Sequence, residues 1–304
     1  MISNKKTNCL LCKNQAVSGM GDIHGYWYCQ DCKLGWLKKK PKVEYDKSYY
    51  IGKSGLAQKL FFIIASFFYI IRRLYSGLNS KNVWIDCGAG EGEFLKTVNA
   101  KRRIGVEISS SGREMMRKIG LSTLDNNQFL KSKKINADVI SFWHVIEHLE
   151  DPIKYLESAY KNLNNNGKLI IGIPNHDSFE FKFFKTSWFH LVPKYHLWHF
   201  STRSIIKLLE KTGFKTNSID YWSIEHHPTG ILQSFINKSA GSDNVLHRLV
   251  KRGLNYSLDL KDILWSVFWL SFGLPIALLF WIFSAIFRQS GTIVVVASKK
   301  DKNG

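Results

Sequence analysis

Short apolar runs recur through the middle of the chain, separated by longer amphipathic and polar stretches. Four of these runs predict strands: Val83–Ile85, Ile104–Glu107, Asp138–Trp143 and Lys168–Pro174. Uninterrupted apolar positions are typical of strands buried on both faces, and helical patterns that end in glycine or polar residues lie between them. The alternation of strand and helix therefore predicts an α/β domain built on a parallel sheet.

A glycine-rich loop follows the first of these strands directly. Asp86 ends the strand, and Gly88, Gly90 and Gly92 follow at alternate positions. Glycine permits a sharp backbone turn and a close approach by a ligand, and residues 91–99 can form the next helix. The pattern predicts a nucleotide-cofactor loop, with the ligand lying across the carboxyl ends of the strands.

The spacing of the glycines and the charge of Asp86 separate two classes of cofactor. The glycines run G-x-G-x-G, whereas a dinucleotide-binding turn runs G-x-G-x-x-G. A carboxylate at Asp86 would repel a pyrophosphate but suits an ammonium group. Glu107 ends the second strand, where it can accept hydrogen bonds from both hydroxyls of a ribose. These features favour S-adenosylmethionine over NAD.

Several further segments resemble the class I S-adenosylmethionine-dependent methyltransferases, in particular the branch that contains ubiquinone-type O-methyltransferases and enzymes of surface-glycan gene clusters. The likeness extends from about residue 81 to 221 and resumes at 292–298. The segments that carry it are Asp86–Gly92, Glu107, His144–Leu149 with Asp151 and Pro152, Gly167–Asn175, His196–Ser201 and Leu208–Phe214. The resemblance implies a Rossmann-like seven-stranded methyltransferase sheet whose last strand, Ser290–Ser298, lies antiparallel beside the fifth.

The same resemblance implies a set of cofactor contacts. They are Gly88, Ala89, Gly90 and Gly92 along the methionine and ribose, Asp86 near the amino group, Glu107 on the ribose, Asp125 or Asn126 beside the adenine, and Trp143 next to the methionine and the acceptor.

Methyl transfer requires alignment of the two reactants and removal of a proton. His144, Glu147 and His148 would share one face of a helix that begins near His144. The trio is predicted to act as a base or as a weak metal site for a catechol-like acceptor. The alternative is that Glu147 and His148 only hold a helix start and its neighbouring loops by hydrogen bonds.

A second set of histidines, His190, His196 and His199, lies in the aromatic segment 188–200. A loop after the fifth strand would cover the acceptor side of the cofactor. We expect His196 or His199 to be the general base. The alternative is that these imidazoles satisfy buried backbone groups.

Two C-x-x-C pairs, Cys9 with Cys12 and Cys29 with Cys32, lie near the amino terminus with sixteen residues between them. This spacing predicts a four-thiolate zinc ribbon, in which the metal replaces a core too small to form by itself. Two disulfides are disfavoured because residues 1–13 lack the apolar core of a signal peptide. Redox use of one pair would not explain two pairs, and the isolated Cys87 is expected to be a small buried residue.

The cysteine segment resembles the zinc-binding domain in front of some sugar methyltransferases, with Gly35–Leu37 and Tyr49–Tyr50 in the corresponding places. A zinc ribbon that binds nucleic acid is the competing interpretation. We do not expect a nucleic-acid partner, because lysine and asparagine are abundant throughout the chain rather than in one patch.

The net charge of +19 is best interpreted together with the apolar segment Ile263–Phe287, which contains no charged residue. The segment is long enough to cross a bilayer. Basic residues flank it, and such borders attract anionic lipid headgroups. They are His247, Arg248, Lys251, Arg252 and Arg288.

A single crossing would leave the last strand on the wrong side of the membrane. Gly273–Pro275 offers a break near the middle of the apolar segment, and each arm would reach roughly 15–20 Å, about half of a bilayer core. We therefore predict a monotopic hairpin that enters one leaflet. The alternative is a pair of soluble core helices or a dimer contact.

The predicted organisation is a zinc ribbon at 1–45, a helical connector at 46–80, the cofactor-binding core at 81–225, a helical insertion with the hairpin at 226–289, and the closing strand with a polar tail at 290–304. The predicted function is methyl transfer from S-adenosylmethionine to a lipid-linked saccharide or glycolipid at the cytoplasmic face of the membrane. The alternatives are methylation of a quinone-type phenol and a non-catalytic zinc-ribbon adaptor that binds nucleotide or nucleic acid.

Overall fold

The computed structural model describes residues 7–20, 23–39, 67–77, 79, 81–224, 226–246 and 259–300. The chain divides into two compact units. The head unit contains Met1–Pro41, Pro174–Ile205 and Asp220–Ile293, and the sheet unit contains the remaining residues. Most of the predicted connector at 46–80 lies outside the described residues; its end, at 67–74, is helical.

The strands are β1 (Val17–Met20), β2 (Ile23–Cys29), β3 (Leu34–Leu37), β4 (Lys81–Cys87), β5 (Ala100–Val106), β6 (Ser122–Leu124), β7 (Ala137–Trp143), β8 (Leu163–Pro174), β9 (Trp198–Phe200), β10 (Phe214–Asp220) and β11 (Thr292–Lys299). The helices are α1 (Glu93–Thr97), α2 (Ser110–Lys118), α3 (Asn126–Lys131), α4 (Pro152–Asn162), α5 (Phe179–Phe184), α6 (Thr202–Lys211), α7 (Thr229–Ala240) and α8 (Leu260–Ile286).

The sheet unit is built on seven strands in the order β10-β11-β8-β7-β4-β5-β6. Strand β4 pairs in parallel with β5 and β7, and β8 pairs in parallel with β7. The predicted seven-stranded α/β sheet is thus confirmed, with the last strand β11 beside the long strand β8. The order reverses next to β4, so the glycine loop after β4 lies at the switch point where α/β sheets bind ligands.

Consecutive apolar residues form the central strands because both faces of the sheet are covered. Trp84 and Ile85 of β4 are buried, as are Val139 and Ile140 of β7. Trp84 belongs to a core cluster that includes Phe94 of α1 and packs against one face of the sheet. This packing fixes the carboxyl ends of β4 and β7, where the predicted cofactor residues begin.

The head unit contains a second, four-stranded sheet in the order β1-β2-β3-β9. The cysteine-bearing segment supplies three of its strands, and β9 comes from the histidine-rich segment more than 150 residues later. Strand β3 pairs antiparallel with β9, with Leu34 opposite Phe200 and Gly35 opposite His199. The pairing places part of the histidine segment in the same sheet as the second cysteine pair.

The predicted hairpin at Gly273–Pro275 is wrong, because α8 continues unbroken from Leu260 to Ile286 with Pro275 inside it. Proline fits helical φ values, and the helix loses one hydrogen bond while keeping the others. Gly273 serves a close helix contact rather than a turn: a Cβ there would lie 2.8 Å from a methyl group of Leu232 on α7. The ring of Trp269 stacks on Phe235 of α7 at 4.3 Å, so α7 and α8 run antiparallel.

Candidate cofactor and metal sites

The loop after β4 requires its three glycines for different reasons. Gly88, Gly90 and Gly92 have φ values of 74°, 57° and 86°, which disfavour a side chain. A Cβ at Gly88 would lie 2.3 Å from Val145, and one at Gly92 would lie 2.7 Å from Met116. A Cβ at Gly90 would meet nothing within 4 Å. The loop is therefore packed tightly at both ends and open in the middle, as a ligand cradle requires.

Glu107 holds this loop in place. Its Oε2 atom accepts a hydrogen bond from the backbone N–H of Gly90 at 2.9 Å, and its Oε1 atom accepts one from Ser109 at 2.9 Å. The carboxylate is buried, and each of its oxygens can accept a further hydrogen bond. Its predicted role on the ribose is compatible with these bonds and stays a prediction.

Asp86 is buried at the end of β4, beside the start of the glycine loop. Its Oδ1 atom accepts a hydrogen bond of 2.6 Å from the hydroxyl of Ser141 on β7. Ser141 was not predicted, although its place in the predicted strand Asp138–Trp143 is a signal for a cross-strand partner of an acid at the end of the strand Val83–Ile85.

The other predicted cofactor contacts have structural partners already. Asp125 caps α3, since its side chain accepts from the N–H of Gln128 and Gln128 bonds back to Asp125, both at 2.8 Å. Asn126 is the first residue of that helix. The ring of Trp143 is buried against Phe94. Their roles at the adenine and the methionine stay predictions.

The predicted helix beginning near His144 is wrong. Residues Ile146–His148 form a single 3-10 turn, and α4 begins only at Pro152, where Asp151 caps it. His144 has a φ of 55°, a left-handed conformation that no helix tolerates. The backbone therefore turns sharply at the end of β7 before the chain can become helical.

His144 and Glu147 nevertheless lie together. His144 Nδ1 is 3.6 Å from Glu147 Oε1, and the backbone N–H of His144 donates to the carbonyl of Gly172 at 2.9 Å. Glu147 is only 1% exposed, and this burial raises its pKa to about 7. Strained backbone together with a buried acid is typical of functional sites. His148 is half-buried on the same turn.

The three histidines of the segment 188–200 are buried. A ring nitrogen of His196 lies 2.8 Å from the carbonyl oxygen of His190, and the ring of His190 lies 3.1 Å from the hydroxyl of Thr292. His199 packs edge-on against Tyr26, and burial lowers its pKa to about 3. His199 is thus neutral at physiological pH. The assignment of His196 or His199 as the base stays a prediction.

The four cysteines converge in the head unit. The sulfur atoms of Cys9, Cys12, Cys29 and Cys32 all lie within 4.8 Å of one another. The Sγ atoms of Cys12 and Cys29 are 3.6 Å apart, and a tetrahedral zinc ion with Zn–S bonds of about 2.3 Å separates its sulfurs by roughly 3.8 Å. The donor set and its spacing fit such an ion.

Each cysteine pair has the same local geometry. Lys13 and Lys33, one residue beyond each pair, both have left-handed φ values, 67° and 54°. In the first pair, the N–H of Leu11 donates to Cys9 Sγ at 3.4 Å. Repeated turns that aim backbone N–H groups at sulfur are suited to thiolate ligands of a metal.

A family model described as a methyltransferase domain matches residues 65–219, about half of the chain. The chain belongs to the methyltransferase-domain family. Its seven-stranded sheet and its glycine loop after β4 are the fold and the cofactor loop of an S-adenosylmethionine-dependent methyltransferase.

One curated relative of this chain is an uncharacterized protein of Methanocaldococcus jannaschii. The two are 32% identical over 142 residues, which cover 43% of this chain and 63% of the relative. The match thus spans less than two thirds of the relative's length.

Similar solved structures include two methyltransferases. A chain of the complex between the Haloferax volcanii Trm112 methyltransferase activator and a methyltransferase is 13% identical, with a TM-score of 0.49 over 82% of this chain and 96% of that one. A SAM-dependent methyltransferase of Thermotoga maritima is 19% identical, with a TM-score of 0.45 over 80% of this chain and 95% of that one.

The residues around the glycine loop fit S-adenosylmethionine. The loop is open at Gly90, where the cofactor would approach the backbone. A buried carboxylate at Asp86 suits the ammonium group of the methionine moiety, and Glu107 lies where a ribose can be bound.

A buried ion pair in the head unit was not predicted. A ring nitrogen of His227, Nε2, lies 2.9 Å from Glu180 Oε1, and the same oxygen accepts the N–H of Gly291 at 2.8 Å. Burial lowers the pKa of His227, but the charge and hydrogen bond of Glu180 outweigh it and raise the pKa above its ordinary value. The ring also stacks on Trp281 of α8. No local sequence signal joins residues this far apart.

Proposed function

We propose that this methyltransferase acts at the cytoplasmic face of the membrane and methylates an oxygen of a lipid-linked saccharide or related glycolipid. Bound S-adenosylmethionine supplies a methyl group activated by a sulfonium sulfur. The chain would hold the cofactor with Asp86, Glu107 and the glycine loop, orient the acceptor hydroxyl in line with the methyl group, and accept the hydroxyl proton on a histidine.

The observation that carries the membrane assignment is the exposed apolar surface of α8. The most apolar 18-residue window of the helix has a mean hydropathy of 2.1, and only 17% of that window is buried. Leu264, Phe272 and Leu279 are 60%, 67% and 68% exposed. An apolar surface of this extent, open to water, is unfavourable and marks a membrane or protein contact.

The buried positions of α8 favour insertion along its side. They are Asp262, Ser266, Gly273, Ala277, Ser284 and Ala285. The first five recur at intervals of four and seven residues and form one stripe about 33 Å long. A helix that crosses a bilayer would leave the protein body over most of its length. A stripe buried along the whole helix instead keeps α8 on the surface of the head unit, with its outward side available to one leaflet.

The side that faces α7 is lined with small residues. Gly273 and Ala277, four positions apart, let the two helices approach closely. Near the carboxyl end, Phe283 stacks on Phe179 of α5 at 5.4 Å. These contacts anchor α8 to the head unit and would leave its opposite side to the lipid.

A membrane-bound enzyme gains most from an acceptor confined to the same surface, because both then diffuse in two dimensions. A saccharide on a lipid carrier presents hydroxyl groups beside the membrane, within reach of such an enzyme.

We also propose that Cys9, Cys12, Cys29 and Cys32 hold a structural zinc ion.

The identity of the product tests the acceptor class. Washed membranes would be incubated with the purified chain and methyl-labelled S-adenosylmethionine, and the lipids would be extracted and hydrolysed in mild acid. Label that moves to the aqueous phase after hydrolysis supports a lipid-linked saccharide. Label that stays in the organic phase on a species without sugar would indicate a quinone-type phenol instead, and absence of cofactor binding would favour a non-catalytic adaptor.

A further inference from the structure

We infer that Ser141, fixed by Trp84, is a positioning residue that orients Asp86 toward the ammonium group of S-adenosylmethionine. The inference rests on the proposed use of this cofactor and adds residues on two strands that recognise its methionine end. It does not depend on the acceptor or on the membrane.

The three side chains form a buried relay across the centre of the sheet. Trp84 Nε1 donates to Ser141 Oγ at 2.9 Å, and Ser141 Oγ donates to Asp86 Oδ1 at 2.6 Å. Asp86 on β4 lies directly opposite Ser141 on β7. All three residues are buried. The relay ends two residues before Gly88, the first glycine of the cofactor loop.

The direction of the hydrogen bonds follows from the chemistry of the groups. An indole N–H can only donate, so it occupies an acceptor lone pair of the Ser141 hydroxyl. The hydroxyl has one proton to donate, and the carbonyl oxygen of Ile85 competes for it at 3.5 Å. Because the distance from Ser141 Oγ to Asp86 Oδ1 is much shorter, the hydroxyl donates its proton to Asp86. Asp86 Oδ1 must therefore act as an acceptor, which an ionised carboxylate does best.

The hydrogen bond from Ser141 to Asp86 Oδ1 also affects Oδ2, the other carboxylate oxygen. With Oδ1 fixed by Ser141, rotation of the carboxylate is restricted and the direction of Oδ2 is set by the protein. A buried carboxylate that is already oriented binds an ammonium group without reorganising. It also disfavours ligands that carry a phosphate in that place. The relay thus makes the site selective for a nucleoside that carries an amino-acid group.

Binding of two nucleosides that differ in the amino-acid group tests this role. S-adenosylhomocysteine carries the ammonium group, and 5′-methylthioadenosine lacks the entire amino-acid end. We expect Ser141→Ala to weaken S-adenosylhomocysteine about tenfold, equivalent to about 1.4 kcal/mol, while the affinity for methylthioadenosine changes less than about twofold. Trp84→Phe removes the indole donor together with part of a buried ring, and it should show the same selectivity for S-adenosylhomocysteine with a smaller loss.

The matched control is Ser158→Ala. Ser158 is an equally buried serine of the sheet unit that donates to the carbonyl of Phe129 at 2.7 Å. Ser158→Ala should change the affinity for neither S-adenosylhomocysteine nor methylthioadenosine. Equal weakening of both ligands by Ser141→Ala and Trp84→Phe would show a general structural role and overturn the inference, as would unchanged binding of both. A wild-type chain that binds neither ligand would instead overturn the proposed cofactor, and with it this inference.

Discussion

The Nδ1 atom of His144 lies 3.6 Å from Oε1 of Glu147, in a turn whose backbone is left-handed at the histidine. The histidine is partly exposed, and the acid behind it is buried. A carboxylate in this place can orient an imidazole and stabilise its protonated form, as in other acid–histidine pairs. The pair lies at the carboxyl end of β7, beside the strand that begins the cofactor loop.

Glu147→Gln should flatten the dependence of stability on pH. The pKa of Glu147 rises from 4.5 to about 7 on folding because the side chain is buried. A raised pKa means that the folded state binds the proton more tightly, so stability is full below pH 4.5 and is lost as the pH rises through about 7. The loss of stability would be at most about 3.4 kcal/mol.

The measurement is the free energy of unfolding in urea at pH 5 and pH 8. The wild-type chain should be less stable at pH 8, and the glutamine variant should lose less between the two values. Methyl transfer should fall in the variant, because an amide stabilises an imidazolium less well than a carboxylate. An identical pH dependence for both chains would contradict the burial argument.

Separate removal of either member of the His227–Glu180 pair should destabilise the chain more than removal of both. Each group is almost fully buried, so the survivor of a single substitution is left without its partner. Such substitutions cost roughly 3–5 kcal/mol. A double-mutant cycle of His227→Gln and Glu180→Gln, followed by urea unfolding, should show a coupling of at least about 3 kcal/mol, the cost of one single substitution. Additive effects would contradict the pairing.

Purified protein should contain one zinc ion per chain, held by the four clustered cysteines. Cys29→Ser or Cys32→Ser should lower the metal content and the melting temperature, because the ion replaces a hydrophobic core in this small sheet. Cys87→Ser is the matched control: Cys87 is a buried cysteine at the end of β4, away from the cluster in sequence. Elemental analysis checks the prediction, and equal zinc in all variants would refute it.

The outward side of α8 should control binding to lipid vesicles. Replacement of Leu264, Phe272 and Leu279 with serine removes three exposed side chains from the helix. Binding to vesicles that contain anionic lipid, measured by flotation, should fall by more than about tenfold because apolar area buried in lipid drives it.

The control for this variant carries serine at Ile108, Met115 and Ile119, which are exposed apolar residues of the sheet unit. It should float like the wild-type chain. Equal loss in both variants, or recovery of the unmodified chain entirely in the soluble fraction, would exclude α8 as the membrane contact.

The sheet and its cofactor loop could be predicted because their signals are local. A strand such as Val83–Ile85 is apolar at consecutive positions, and the alternate glycines that follow occupy a backbone that only glycine readily adopts. The four cysteines were equally visible, because a metal site needs particular residues at particular spacings.

The remaining features depend on contacts between distant segments. The pairing of β3 with β9 and the bond of Ser141 to Asp86 require the fold before they can be seen. The continuous α8 was missed for another reason: Gly273 and Pro275 usually break a helix, but here the glycine admits the side chain of Leu232. Tertiary packing overrode the local signal.

The most direct test of the central claim is the fate of the methyl group. The purified chain and methyl-labelled S-adenosylmethionine would be incubated in parallel with washed membranes and with the membrane-free soluble extract. We predict label in the lipid extract of the membranes, lost with Asp86→Asn, and no labelled product from the soluble extract. Label that accumulates in a water-soluble product while the membrane lipids stay unlabelled would contradict the account.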